Sequence, residues 1–196
     1  MTDFTEPENV FHLLCDLPCL WGIAGGWAVD LFLDRVTRDH HDVEVALFRE
    51  DQLILQQYLT CLGWSLEQVK SGAFYLWRRD EWLMPPIHEI WCRHPDRDIP
   101  QIEVLLNERN SGEFLFRRNP FIKMPVEQTF VRSAKGIPIL APEIVLLYKS
   151  KVSSEPKEQS DFAQLVGTLP PERRRWLLES LSVMDPRHEW LSALRK

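Results

Sequence analysis

Residues 21–48, WGIAGGWAVDLFLDRVTRDHHDVEVALF, constrain the fold more tightly than any other part of the chain. Leu20–Ala24 is a short apolar run and predicts a strand, and Gly25-Gly26 predicts a turn. From Trp27 to Leu33, Ala28, Leu31 and Phe32 recur at spacings near three and four, the period of a helix. Arg35–His41 is polar and charged and predicts a loop. From Asp42 to Phe48 the pattern switches to alternation, with Asp42, Glu44 and Ala46 on one side and Val43, Val45 and Leu47 on the other.

Two carboxylates on one face of a strand stand roughly 7 Å apart along the backbone. They repel unless a cation sits between them or both face water. Val43 and Val45 point into a core, so the acids belong at a sheet surface or cleft. Hard oxygen ligands of this kind suit Mg²⁺; an exposed strand face carrying two acids has the same pattern. Glycines between a strand and a helix let backbone approach a ligand closely, and the helix N-terminus offers free N–H groups to an anion. A tight turn alone also accounts for them. A phosphate cradle and a metal-binding acid pair within one such stretch explain each other.

The rest of the chain divides in two. Glu8–Leu17 and Asp51–Leu62 carry helical periods, and Gly63 is a natural stop. Ser65–Val69, Ala73–Arg78, Ile87–Cys92 and Gln101–Leu106 predict strands, separated by Gly72, Pro85-Pro86 and His94–Pro100. Phe114–Arg117 and Gln128–Ser133 predict shorter ones, and Lys135-Gly136 a hairpin turn. Beyond Gly136, helices are expected at Glu143–Val152, Lys157–Val166, Pro171–Leu181 and Glu189–Leu194, with Pro142 favourable in a first turn. The expected organisation is an α/β domain over 1–137 and a helical subdomain over 138–196.

A chain of 196 residues can bury one good core. Its formal net charge of −6 argues against a nucleic-acid backbone as partner. The same charge suits solubility or a cationic small substrate. The N-terminus has no basic segment followed by an apolar run, and no stretch approaches the ~18 apolar residues of a membrane span. Cys15, Cys19, Cys61 and Cys92 form no CxxC pair and predict reduced thiols in the cytoplasm.

A Gly-Gly turn, a short helix and an acidic pair two apart on the next strand resemble the signature of the DNA polymerase β-like nucleotidyltransferase superfamily. AGGWAVDLFLDRVTRDHHDVEVALF looks closest to its aminoglycoside and lincosamide nucleotidyltransferase-like group. HEIWCR, QIEVLLNE, FRRNPFI, GIPILAPEIVLLYKSK and PKEQSDFAQLV are also similar to segments of that group, so the resemblance runs from Trp21 to Leu194. It implies an α+β fold: a nucleotidyltransferase-like mixed β-sheet flanked by helices, with a C-terminal helical subdomain. It implies Mg²⁺-dependent transfer of a nucleoside monophosphate, AMP from ATP, to a hydroxyl of a small molecule of the aminoglycoside type, releasing pyrophosphate. It also implies a third carboxylate. Glu103 fits, projecting opposite to Ile102 and Val104. Asp42 and Glu44 are then metal ligands, and Glu103 is a ligand or the base at the acceptor hydroxyl.

Two residues depart from the group's pattern. His41 stands where relatives often carry an acid or a small residue, and Glu44 is one methylene longer than Asp. These departures keep open an alternative, a nucleotide-binding regulatory or antitoxin-like module without turnover. A transition-metal cluster at His40-His41-Asp42 is disfavoured, because adjacent strand residues point to opposite faces.

Nucleotidyl transfer needs positive charge around the phosphates. Arg38, just before the acidic strand, and Lys149 and Lys151, bordering the Ile144, Leu147 and Tyr148 stripe, are the candidates. Asp161 either orients a lysine or lies at the surface. Arg173–Arg175 predicts a solvated helix face. Glu89, Trp77, Trp82 and Trp91 lie on the middle strands, where an acceptor pocket could form; an aromatic core explains the tryptophans equally well.

Overall fold

The computed structural model describes residues 3–96 and 101–196, so the expected His94–Pro100 connection lies partly outside the described residues. Strand β1 (Trp21–Ile23) leads into helix α2 (Gly25–Leu33), which follows α1 (Thr5–Leu14). Strand β2 (Val43–Phe48) comes next, then a 3₁₀ turn and α3 (Gln52–Cys61). The middle of the chain forms β3 (Ser65–Lys70), β4 (Ala73–Leu76), β5 (Glu89–Arg93), β6 (Ile102–Asn110), β7 (Glu113–Leu115), β8 (Lys123–Pro125) and β9 (Phe130–Arg132). The C-terminal part runs through β10 (Pro138–Leu140) to α4 (Pro142–Lys149), α5 (Pro156–Leu165), α6 (Pro171–Met184) and α7 (Leu191–Leu194).

The strands pair in the order β4-β3-β5-β6-β2-β1-β10-β9, with β7 and β8 turning off the far end of β6. The sheet is mixed: β2 is parallel to β6 and β1 to β10, and the other neighbours are antiparallel. This is the α+β architecture implied by the resemblance. Strand β10, at the start of the helical C-terminal part, lies in the same sheet beside β1.

β2 sits in the middle because its sequence can be covered on both sides. Val43, Val45, Ala46, Leu47 and Phe48 are all fully buried, and Ile102, Val104, Leu106 and Ile90 continue the layer across β6 and β5. Apart from Ala46, burying each of these side chains contributes about 1.5–3 kcal/mol. α4 is apolar nearly all round, with Ile144, Val145, Leu146 and Leu147 buried, so it forms a central helix rather than one with a single stripe. It packs on α2 and on α6.

Arg173–Arg175 is not simply a solvated face. Arg173 donates to the buried Glu143 at 2.5 Å, and Arg174 donates to the carbonyls of Ala193 and Leu194, which ties α7 down. The long connection from Trp77 to His88 is irregular but anchored by buried amides. Gln52 accepts from the Leu83 N–H at 2.7 Å, and Gln56 from the Asp80 N–H at 2.8 Å. Among the described residues, no helix is long and apolar enough to cross a membrane.

Candidate active site

The parallel pairing of β2 with β6 places Glu44 directly beside Glu103. Side chains alternate along each strand, so both carboxylates leave the same face while Val45 and Val104 enter the core behind them. On the next strand Trp91 stands opposite Glu103, and Glu89 opposite Leu105. Asp42 lies in the bend just before β2 rather than on the strand, because ladder pairing starts at Val43. It lines the same cleft of about 650 Å³ as Glu44, Glu89 and Glu103.

The two glycines do not form a turn ahead of a helix; they are its first two residues. Gly25 has φ +58°, the left-handed region that favours glycine. A Cβ there would fall inside the Glu44 carboxylate, which also accepts the backbone N–H of Gly26. A Cβ on Gly26 would run into the Arg38 guanidinium and the His40 ring. The glycines therefore leave room for an acid and a basic loop at the mouth of α2.

That loop is pinned from below. Asp30, completely buried in α2, accepts from the Thr37 hydroxyl at 2.5 Å and pairs with His40 Nε2 at 2.7 Å. The His40 ring lies 4.2 Å from that of Trp27. Sequence reasoning missed this clamp, although an acid inside the apolar stretch 27–33 was the available signal.

The carboxylates destabilise one another's charge. Burial pushes Glu44 above the usual carboxylate range; Lys149 works against that shift and Asp42 adds to it. Glu103 rises to about 8, through burial first and then the charges of Glu44, Glu89 and Asp42. Asp42, Glu44, Glu89 and Glu103 line one cleft, and a donor set made of hard carboxylate oxygens fits Mg²⁺. Among the described residues, no three His, Cys, Asp or Glu side chains gather tightly enough to hold an ion alone. A small divalent ion would have to complete its shell with water and phosphate oxygens, as Mg²⁺ commonly does.

Asp161 organises the basic side. It is 1% exposed and receives Lys149 Nζ at 2.8 Å and Arg38 Nε at 3.3 Å, while Lys149 also reaches Glu158 at 2.6 Å. Of its two readings, orienting a lysine is the one the fold adopts. Burial disfavours the Lys149 ammonium, but Asp161 and Glu158 outweigh burial and raise its pKa. Lys151 does not join this group. α4 ends at Lys149, the following 3₁₀ turn breaks the helical period, and Lys151 is left exposed outside the cleft.

Among the expected acceptor-side residues only Glu89 lines the cleft. Trp77 is core, with its indole N–H donated to the Glu81 carbonyl; Trp82 is exposed elsewhere; Trp91 donates to Glu89 at 2.8 Å. The cleft instead brings in Asn107, Tyr148, Arg117, Arg118 and His88; all lie in segments that resemble the group, but nothing in those segments assigned them to the site.

The sheet order, the carboxylates facing each other on β2 and β6 and the helices that follow define a nucleotidyltransferase-fold protein. Within that class, residues 8–74 match the family model described as aminoglycoside-2''-adenylyltransferase, so the resemblance drawn from the sequence is borne out. The solution structure of the antibiotic-resistance factor ANT(2'')-Ia is similar to the chain, with a TM-score of 0.62 at 14% identity, covering 97% of each chain. The crystal structure of ANT(2'')-Ia in complex with adenylyl-2''-tobramycin has a TM-score of 0.61 at 15% identity, covering 92% of this chain and 99% of that one. The lincomycin-bound lincosamide antibiotic adenylyltransferase LnuA has a TM-score of 0.59 at 19% identity, covering 84% of this chain and 96% of that one. No curated protein sequence matches the chain.

Proposed function

We propose that the chain is a Mg²⁺-dependent nucleotidyltransferase that moves AMP from ATP, or the corresponding group from another nucleoside triphosphate, to a hydroxyl of a small molecule. The observation that carries this reading is the side-by-side pairing of Glu44 and Glu103 next to the glycine-led helix α2. Transfer forms a bond from the acceptor oxygen to the α-phosphorus and breaks the bond to the oxygen bridging the α- and β-phosphates, releasing pyrophosphate. Held by Asp42 and Glu44, with Glu103 beside them, a divalent ion would polarise the α-phosphate and offset its developing charge. Glu103, deprotonated when substrate is bound, takes the hydroxyl proton or shares the ion. The N-terminus of α2 faces the phosphates, and Arg38 and Lys149 turn toward them from Asp161. Residues 138–196, in this reading, form a subdomain that supplies Lys149 to a site built mainly by residues 1–137.

Aminoglycosides and lincosamides are the acceptors with which to begin, since the family description and the solved relatives name them. The four cysteines are free thiols, in keeping with a cytoplasmic enzyme. The deciding experiment is ATP-dependent pyrophosphate release across that panel, beside Mg²⁺-ATP binding. Binding without release from any acceptor would support the second reading, a nucleotide-binding module without turnover. The occupation of Lys149 by two carboxylates favours that reading.

A further inference from the structure

Most cations lining the cleft are already neutralised. Arg38 and Lys149 share Asp161, Lys149 also holds Glu158, and Lys157 stands 3.8 Å from Glu158. Among the described residues, Arg117 and Arg118 line the same cleft with no carboxylate partner. They are consecutive, so two like charges are held together. Both guanidinium groups sit over one ring, at 5.7 and 5.3 Å from the Tyr148 centroid, and Arg118 donates to the Tyr148 carbonyl at 2.7 Å. The Tyr148 hydroxyl donates to Asn107 Oδ1 at 3.0 Å, and the Asn107 amide donates to the Leu105 carbonyl at 3.0 Å. Burial and the charge of Arg117 both lower the pKa of Arg118, as expected of a cation lacking a counter-ion. Paired guanidinium forks match two oxygens of a carboxylate or a phosphate.

Their position selects the source of that oxyanion. The Ala24 N–H donates to the Glu44 carbonyl, so the glycines sit level with Glu44, at the start of β2. Asn107 lies four residues beyond Glu103 on the parallel strand, roughly 13 Å further along. The glycines and the carboxylates therefore share one level of the sheet, and the arginine pair lies further along the cleft, beside Asn107. Phosphoryl-type displacement keeps the attacking and leaving oxygens roughly in line. With the leaving pyrophosphate at the glycine end, the arginine pair faces the incoming acceptor.

The geometry points to Arg117 and Arg118 as an anion-binding subsite for a phosphate or carboxylate group on the acceptor. This inference rests on the reading of the cleft as a nucleotidyl-transfer site. It narrows the acceptor to a molecule whose hydroxyl reaches Glu103 while an oxyanion reaches the arginines; a purely cationic acceptor leaves the pair unsatisfied.

The test uses the full chain, wild type and Arg117→Gln/Arg118→Gln, with Arg118→Gln alone as a milder variant. Glucose 6-phosphate, glucose and inorganic phosphate are titrated calorimetrically, with and without saturating Mg²⁺ and a non-hydrolysable ATP analogue. The expected result is that the double variant binds the two phosphate probes about ten-fold more weakly, with the single variant between. Affinity for the ATP analogue should stay within about two-fold of wild type. If the analogue's affinity falls instead, the pair holds the nucleotide's phosphates and the acceptor assignment is overturned. Phosphate binding equal in wild type and variant would overturn the anion site altogether. If wild type fails to bind the ATP analogue, the nucleotidyl-transfer reading fails, and the titrations without nucleotide still decide whether the arginines hold an anion.

Discussion

Gly25 and Glu44 occupy one space: the missing side chain of the first is where the carboxylate of the second lies. The relationship is forced twice over, since Gly25 also has φ +58°. Gly25→Ala should cost at least the roughly 1–2 kcal/mol of left-handed strain, with further loss from displacing the carboxylate. Thermal unfolding of Gly25→Ala, Glu44→Ala and the double variant checks this. The double variant should be more stable than the summed single effects predict, because Glu44→Ala removes the overlap but not the strain. Simple additivity would count against the contact.

Glu103 makes stability depend on pH in a definite direction. Its carboxyl ionises near 4.5 as a free group and near 8 in the fold. The stability that its protonated form contributes is complete below the lower value and is lost as pH rises through the higher one. In EDTA, Glu103→Gln should therefore gain on wild type between about pH 5 and pH 9, by several degrees in Tm. Adding Mg²⁺ at the upper pH should narrow the gap, since an ion bound only to the folded carboxylates stabilises wild type by mass action. A gap independent of pH would remove the shifted carboxyl.

Asp161 is the shared anion of Arg38 and Lys149. Asp161→Asn leaves Lys149 with Glu158 alone and Arg38 unpaired, and should destabilise the fold by about 3 kcal/mol. Chemical denaturation measures this. Pairing it with Lys149→Met should recover part of the loss, because the stranded ammonium is then gone.

Lys149 and Lys151 separate a half-buried, ion-paired cation from an exposed one. Lys149→Ala should weaken Mg²⁺-ATP binding by about ten-fold or more, whereas Lys151→Ala should leave it within about two-fold. Equal effects from the two would place the nucleotide outside this cleft.

Asp42→Asn tests the chemistry itself. Pyrophosphate release with a competent acceptor should fall by about a hundred-fold or more, with the fold intact by circular dichroism. Unchanged turnover would exclude Asp42 from the metal site.

The strand, helix and alternating strand of residues 21–48 were legible because each has its own period, and glycines and acids at fixed spacing mark what lies between them. Glu103 could be proposed only through family resemblance, since nothing in residues 101–106 says which strand will lie alongside. Parallel pairing with β2 decided that, and only the register brings Glu44 and Glu103 together. Lys149 and Lys151 look alike in sequence; the end of α4 between them left one half-buried in the cleft and the other exposed. The Asp30–His40 clamp, the Asp161 hub and the Arg117–Arg118 pair over Tyr148 join residues distant in the chain. The sequence by itself determined where the local elements and the acidic strand would form, because periodicity and backbone preference act over a few neighbours. Only the tertiary structure decided which charges meet and which stay unpaired, because burial and Coulomb forces depend on distances that pairing and packing set.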